Sequence, residues 1–161
     1  MVAAAPSVEE TRARIAALPD PEIPVLTLGD LGVIRDVTVD GDAVRVGVAP
    51  TYTSCPATDY IETSVRRELE QSGFRRIEVE RRLSPAWTTD WISAAGRQKL
   101  EAYGIAPPAN RSGAGGEDRP VACPRCNATD TTRVSEFGST PCKAAYTCDA
   151  CLEPFEYFKC L

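Results

Sequence analysis

The sequence predicts an α+β protein in two parts: a small α/β domain with a three-stranded sheet and helices, followed by a small antiparallel zinc ribbon. Cysteine usage separates the parts, because six of the seven cysteines follow Val121 and only Cys55 precedes it. Between them lies a stretch rich in proline, glycine and charge, without apolar periodicity, which is typical of a linker. We therefore expect the α/β domain over residues 1–106, a flexible linker over 107–120 and the zinc ribbon over 121–161.

The first elements of the α/β domain follow from their caps. Ser7 followed by Glu10 is a capping box and predicts a short helix. Asp20 stands before Pro21, which fits an N-cap with proline at the first position of a single helical turn. The residues 30–32, Asp-Leu-Gly, indicate a turn into a strand.

Three strands follow from alternation. Valines alternate with polar residues on either side of the turn 40–42, so residues 33–48 predict a β-hairpin. Ile77 and Val79 indicate a third strand. Two helices complete the domain. One contains Ile61 and Leu69 and stops at Gly73, and the other is capped by Asp90 and stops at Gly104.

The ribbon is predicted from two CxxC pairs, CPRC and CDAC, whose spacing suits a tetrahedral thiolate site. Such a site is closed, so a structural zinc ion is expected rather than a catalytic one. Iron in a rubredoxin-like site is the competing interpretation, because softness and geometry do not separate the two metals. Asn127, directly after one pair, suits the left-handed conformation that a knuckle needs. The predicted ligands are Cys123, Cys126, Cys148 and Cys151.

Two cysteines, Cys142 and Cys160, lie outside this set. Either they are packing residues or free thiols, or they form a second thiol pair for metal transfer or redox exchange. Aromatic residues crowd the last strand, where alternation places Phe155 and Tyr157 on one face and Phe158 on the other. We expect one set to line the core and the other to be available to a partner.

The remaining cysteine, Cys55, precedes Pro56, which suits the first position of a helix. A thiolate at that N-cap would be stabilised by the helix end, and the hydroxyl of Thr53 could hydrogen-bond it. The chain contains no histidine, so Cys-His dyads and Ser-His-Asp triads are excluded. The alternative is a semi-buried cap residue without chemistry.

Composition narrows the class of partner. The net charge of −5 disfavours phosphate backbones, so nucleic acid is not expected as a partner. The sequence has no apolar stretch of the roughly 20 residues that a membrane helix needs. Its N-terminal residues are acidic where a signal peptide would be apolar, so we expect a cytoplasmic protein without membrane association.

Longer motifs carry a resemblance to known families. DPEIPVLTLGDLGVI together with PTYTSCPAT resembles the MIP/SufT-like family of iron-sulfur assembly factors. The later motifs resemble the PaaD family of accessory proteins encoded with the multicomponent phenylacetyl-CoA epoxidase, and this similarity covers nearly the whole chain. Those motifs are PAWTTDWIS, YGIAPP, CPRC, CDAC, SEFGSTPCKA and EPFEYFKC.

The resemblance implies a maturation factor for the iron-sulfur or diiron centres of that epoxidase, not an enzyme. It implies a MIP/SufT-like fold for residues 1–106, a transient iron or Fe-S cargo, and epoxidase components as partners, with the iron-sulfur flavin reductase as the first candidate. The alternative is a non-catalytic structural subunit of the same complex. The residues that the resemblance implies in cluster handling are Cys55, Asp20, Glu22 and, by a weaker match, Asp30.

Overall fold

The computed structural model describes residues 5–109 and 120–160 of the chain. The chain divides into two compact units, Met1–Trp87 and Thr88–Leu161. Most of the predicted linker, residues 110–119, lies outside the described residues.

The first unit is an α/β domain built on a three-stranded sheet, as predicted. Its sheet has the order β1-β2-β3, with β1 and β2 antiparallel and β3 parallel to β2. The elements, in chain order, are α1 (Val8–Ala16), α2 (Leu28–Leu31), β1 (Ile34–Asp40), β2 (Ala43–Val48), α3 (Ala57–Gln71) and β3 (Arg76–Arg81).

The predicted capping signals are confirmed at α1 and at the glycine stops. The Ser7 hydroxyl accepts a hydrogen bond from the Glu10 amide, and the Glu10 carboxylate accepts one from the Ser7 amide. Gly73, with φ of 94°, follows α3 as predicted. Gly32, predicted as part of a turn, has φ of 68° and ends the short helix α2, which was not predicted. These positions favour glycine because a Cβ is strained there.

The core of the first unit lies between one face of the sheet and the helices α1 and α3. Valines on alternate positions of β2 are buried, and the predicted apolar stripe of α3 is buried as well. The opposite face of the sheet carries charge: Arg45 pairs with Glu78 at 2.8 Å across β2 and β3. This alternation is what a sheet covered on one side requires. The buried valines and stripe residues are Val44, Val46, Val48, Ile61, Val65 and Leu69.

The second unit contains the ribbon and the segment that precedes it. Its four-stranded sheet has the order β4-β7-β6-β5, in which β4 is parallel to β7 and the other pairs are antiparallel. A 3-10 turn (Thr89–Trp91) comes first. The elements are then α4 (Ala94–Tyr103), β4 (Ile105–Ala106), β5 (Thr131–Ser135), β6 (Lys143–Cys148) and β7 (Pro154–Phe158).

The division between the units differs from the one that the sequence predicts. Residues 88–106 belong with the ribbon, because Ile105 and Ala106 pair with Glu156 and Tyr157 of β7. Ala106 is also part of the buried ribbon core. A two-residue strand that pairs with a distant segment leaves no local pattern in the sequence, so composition alone did not indicate this pairing.

The predicted cap of the last helix also differs. Asp90 lies inside the 3-10 turn, which Thr88 caps, and α4 begins at Ala94 with Ser93 as its N-cap. The Ser93 hydroxyl accepts a hydrogen bond from the Gly96 amide at 2.9 Å. Aspartate and serine are both good caps, so residue preference alone does not distinguish position 90 from position 93. The predicted stop at Gly104 is confirmed, with φ of 90°.

Candidate functional site

The four predicted ligands meet in the second unit. The sulfur atoms of Cys123, Cys126, Cys148 and Cys151 all lie within 4.8 Å of one another. The Cys123 and Cys151 sulfurs are 3.8 Å apart, and those of Cys126 and Cys148 are 3.5 Å apart. Tetrahedral zinc with Zn–S bonds of about 2.3 Å requires sulfur separations of about 3.8 Å. The donor set therefore fits a closed tetrathiolate zinc site.

Two knuckles with the same backbone geometry present these thiols. In the first, the Asn127 amide donates to the Cys123 carbonyl at 2.9 Å, and in the second the Leu152 amide donates to the Cys148 carbonyl at 2.9 Å. Asn127 has φ of 62° and Leu152 has φ of 63°. The left-handed conformation predicted for Asn127 is confirmed. Leu152, its equivalent, was not predicted because leucine carries no preference for that region.

Backbone dipoles prepare one ligand for metal. The amides of Cys151 and Ala150 are directed at the Cys148 sulfur and lower the pKa of that thiol to about 7. Such N–H donors favour the thiolate over the thiol, and the thiolate is the form that binds metal. Cys123 and Cys148 are buried, whereas Cys126 and Cys151 are exposed, so the site has one covered side and one open side.

The other two cysteines of the ribbon have separate surroundings. The Cys142 sulfur is buried and lies 3.0 Å from the Thr140 hydroxyl. The Cys160 sulfur lies 3.3 Å from the Tyr157 hydroxyl. Their side chains therefore have different neighbours.

The aromatic residues of β7 do not leave one set free as predicted. Phe155 belongs to the ribbon core and stacks on Tyr146, with ring centroids 5.8 Å apart. Tyr157 meets the same Tyr146 ring edge-on at 5.7 Å. Phe158, on the other face, is 1% exposed. The expectation of a free set was wrong, because the ribbon sheet buries both of its faces at this strand.

An ion pair between a buried lysine and a half-buried glutamate in the ribbon was not predicted from the sequence. Lys143 is 4% exposed, and its ammonium lies 2.7 Å from the Glu156 carboxylate. Glu156 also accepts a hydrogen bond from the Ser139 amide at 2.5 Å. Lysine and glutamate in a strand are normally solvated surface residues, so no pattern in the sequence indicated this pair.

Cys55 lies in the first unit on the loop between β2 and α3, and it is half-buried. Helix α3 begins at Ala57 with Pro56 at its N-cap, so Cys55 lies one residue before the predicted position; Pro56 has φ of −66° and ψ of −22°. The Thr58 amide donates to the Cys55 carbonyl at 3.1 Å. The Cys55 carbonyl thus accepts a hydrogen bond from the first turn of α3. The predicted neighbour Thr53 is exposed.

The loop that carries Cys55 leaves the sheet beside the start of β1. The Ala49 amide donates to the Val33 carbonyl, and the Arg82 amide donates to the Val48 carbonyl, both at 2.8 Å. These bonds hold the start of β1 next to the ends of β2 and β3, at one end of the sheet. The turn that contains Asp30 leads into β1 at this end, so Asp30 and the Cys55 loop lie at the same end of the sheet.

The two predicted aspartates act on the backbone. Asp20 is 7% exposed, and its Oδ1 atom accepts hydrogen bonds from the amides of Glu22 and Ile23 at 2.9 and 2.7 Å. Asp30 forms a capping box with Thr27, each side chain accepting from the other's amide at 3.0 Å. The predicted cap at Asp20 therefore exists, although it holds a turn and not a helix. Glu22 is half-buried in the same turn.

A cavity of about 230 Å³ adjoins the Cys55 loop. Thr51, Tyr52 and Thr53 contribute to one side of its lining, and Arg82, Leu83 and Trp87 to the other. The Trp87 indole donates to the Leu31 carbonyl at 2.8 Å and joins this lining to the turn of Asp30. The cavity thus combines hydroxyl groups with apolar walls.

The charge of Arg82 is neutralised. Its guanidinium binds both carboxylate oxygens of Asp36 at 3.0 Å and reaches Glu80 at 2.6 Å. Hydrogen bonding from Arg82 lowers the pKa of Asp36, so that carboxyl is ionised at neutral pH. Arg82 therefore contributes no unpaired positive charge to the cavity that would attract an anion.

Two exposed apolar side chains flank this end of the domain. Tyr60, in the first turn of α3, is 61% exposed, and Leu83, just beyond β3, is 58% exposed. Arg81 joins the two elements through its ion pair with Asp59. Among the described residues of the first unit, Tyr60 and Leu83 are the large hydrophobic side chains with high exposure. Exposed apolar side chains around one loop are typical of an interaction surface.

Within residues 5–109 and 120–160, every helix falls short of the length and hydrophobicity that crossing a bilayer demands.

The fold and the thiolate site together define an iron-sulfur-assembly-type α/β domain joined to a zinc ribbon. Residues 9–80 match the family described as "Iron-sulfur cluster assembly protein", and residues 107–159 match the "PaaD zinc beta ribbon domain". A domain of unknown function, DUF59, from Bacillus anthracis has a similar fold, with a TM-score of 0.54 at 25% identity, covering 58% of this chain and 90% of that one. A conserved hypothetical protein from Thermotoga maritima gives a TM-score of 0.51 at 25% identity, covering 59% of this chain and 94% of that one.

Two relatives match in sequence. The first, from Escherichia coli (strain K12), is named as a subunit of a "Putative 1,2-phenylacetyl-CoA epoxidase" and is 49% identical over 98% of this chain and 96% of its own length. The chain therefore belongs to the PaaD family. The "Fe-S protein maturation auxiliary factor" of Porphyromonas gingivalis (strain ATCC BAA-308 / W83) is 38% identical over 46% of this chain and 71% of its own length.

Proposed function

We propose that this protein is a non-catalytic, cytoplasmic maturation factor for the iron-sulfur or diiron centres of a phenylacetyl-CoA epoxidase. In this role the Cys55 thiolate receives iron or an Fe-S unit and passes it to the client by exchange of thiolate ligands. The ribbon, held by its zinc ion, contributes to client docking. The iron-sulfur flavin reductase is the first candidate client.

The observation that carries the proposal is the surrounding of Cys55. Its thiol is half-buried on a loop that also lines a cavity with hydroxyl groups, and Tyr60 and Leu83 are exposed at the same end of the domain. A thiol that holds a metal must be partly buried. Apolar side chains around it are needed for a second protein to bind there and receive the metal. The chain has no histidine that would give this thiol a catalytic partner.

The relatives support both parts of the proposal. One relative is named as an epoxidase subunit and another as an Fe-S protein maturation factor. An epoxidase-specific maturation factor accounts for both names.

A non-catalytic structural subunit of the epoxidase is the second candidate. The observation that favours it is the use of Asp20 and Asp30, which hold backbone amides of their own turns. If the acidic residues only shape the domain, the Cys55 loop can be a docking feature without metal chemistry.

The experiment that tests the proposal is co-expression of the protein with the reductase, followed by measurement of iron and sulfide in the purified reductase. We expect Cys55→Ala to lower both contents severalfold. Cys160→Ala, which removes another half-buried thiol in the other unit, is the matched control and should leave them unchanged. Unchanged iron and sulfide with Cys55→Ala would exclude the thiol role.

Co-purification separates the two candidates. A maturation factor is absent from the active complex and is dispensable once the complex is assembled. A stoichiometric subunit would instead remain in the active complex, and its removal would abolish epoxidation.

A further inference from the structure

The ribbon carries an exposed apolar patch at the end of β5. Val134 is 68% exposed and Phe137 is 61% exposed. The Lys159 ammonium lies over the Phe137 ring, and the exposed Arg133 precedes Val134 in the chain. We call these four residues the Phe137 patch. In the described sheet β5 is the edge strand, so it lacks a neighbouring strand on one side.

The backbone around Phe137 is fixed on both sides. The Ser135 hydroxyl donates to the Phe137 carbonyl at 2.9 Å, and the Gly138 amide donates to the Lys143 carbonyl at 2.7 Å. An aromatic residue in a loose loop would lack such paired anchors. Phe137 is therefore held outward by the turn itself.

The ion pair of Lys143 and Glu156 also holds this turn in place. The Glu156 carboxylate accepts from the Ser139 amide at 2.5 Å while it binds the Lys143 ammonium at 2.7 Å. A Cβ on Gly138 would lie 2.6 Å from a Glu156 oxygen, so glycine makes this approach possible. Glu156 thus joins the turn to Lys143 of β6 and holds it in one shape.

Lys159 fixes the ring and leaves its charge available. Its ammonium lies 4.5 Å from the Phe137 ring centroid and donates to the Glu136 carbonyl at 3.0 Å. Across the described residues, neither Lys159 nor Arg133 has a carboxylate partner. Glu136 is the acidic side chain next to the ring along the chain. The charged side chains of the patch itself, Arg133 and Lys159, are thus both cations, in a protein whose net charge is −5.

We infer that the Phe137 patch docks a partner protein whose surface presents an apolar pocket bordered by carboxylates. A rigid exposed aromatic ring loses little conformational freedom on binding, and such residues dominate binding energy at interfaces. The cations complement carboxylates at the rim and speed association. The identity of this partner as an epoxidase component rests on the proposed function.

The test measures binding of the full-length zinc-loaded protein to the purified reductase and oxygenase components by biolayer interferometry. We expect Phe137→Ala to weaken binding to one component by at least about tenfold. Tyr103→Ala, which removes another aromatic ring of 61% exposure in the same unit, is the matched control and should change binding by less than about twofold. Arg133→Glu should weaken binding severalfold and remove part of its salt dependence.

Each outcome decides the inference. Wild-type binding that neither Phe137→Ala nor Arg133→Glu alters would overturn the patch while leaving the proposed function in place. Absence of wild-type binding to every component would overturn the partner assignment and count against the proposed function too. If Phe137→Ala lost zinc, the result for Arg133→Glu would decide. A wild-type dimer that Phe137→Ala makes monomeric would identify a second copy as the occupant and contradict the inference.

Discussion

The carboxylate of Asp20, in the first unit, has a structural role that can be tested separately from a role in metal handling. Asp20 is buried and accepts two backbone hydrogen bonds through a single oxygen, Oδ1. A neutral amide oxygen can accept the same bonds. These two hydrogen bonds therefore do not themselves require a negative charge at this position.

We predict that Asp20→Asn unfolds in urea with a free energy close to wild type, whereas Asp20→Ala loses about 1–2 kcal/mol because two amides lose their acceptor. Asp20→Asn should also leave the iron content of co-expressed reductase unchanged. Normal stability combined with a loss of client iron would show instead that the charge of Asp20 takes part in metal handling.

Residue identity was predictable where chemistry restricts the choice. The four zinc ligands and the conformation of Asn127 followed from cysteine spacing and from the few residues that tolerate positive φ. The exposure of Phe137 was not predictable, since an aromatic residue near a strand normally belongs to the core. The pair of Lys143 and Glu156 was not predictable because its members lie on different strands, β6 and β7, and charged residues in strands are normally solvated.

At the scale of elements, the two zinc knuckles have equal geometry but unequal residues. Each needs a left-handed residue after its second cysteine, and the chain supplies Asn127 in one and Leu152 in the other. Leucine in this conformation is strained by about 1–2 kcal/mol, whereas asparagine tolerates it. Leu152 is also 75% exposed, so its side chain contributes little burial.

We predict that Leu152→Gly stabilises the zinc-loaded protein by about 1 kcal/mol, because glycine removes the strain at positive φ. Thermal unfolding should then show a higher midpoint for the second unit. Asn127→Gly is the matched control in the other knuckle and should give a smaller gain. A lower midpoint for Leu152→Gly would show that the leucine side chain stabilises the knuckle through contacts.

Most elements were predictable because their signals are local. The hairpin of β1 and β2, the helix α3 and the three antiparallel strands of the ribbon followed from alternation, periodicity and glycine stops. The start of α4 was missed because Asp90 and Ser93 both suit a cap. The short strand β4 was missed because its pairing with β7 joins distant residues.

For the whole molecule, the two units depend on different sources of stability. The first has a core of aliphatic residues between sheet and helices. The ribbon core is small and includes two of the zinc ligands themselves, Cys123 and Cys148. A core of that size needs metal, so binding free energy and folding free energy are linked in the second unit.

We predict that a strong zinc chelator unfolds the second unit and leaves the first unit folded. Amide signals of the second unit should collapse in NMR spectra, and restored zinc should return them. The first unit serves as the internal control. Loss of its signals in parallel would show that the two units unfold as one.

The pairing of β4 with β7 also affects the order in which the two units can fold during synthesis. Ile105 is synthesised well before its partner Glu156. Likewise, the zinc ligands Cys123 and Cys126 are synthesised before Cys148 and Cys151. All elements of the first unit precede Thr88, so that unit can fold during translation. The second unit cannot close until β7 has been synthesised, and a prematurely terminated chain would present a folded first domain followed by an unfolded, metal-free tail to cellular proteases.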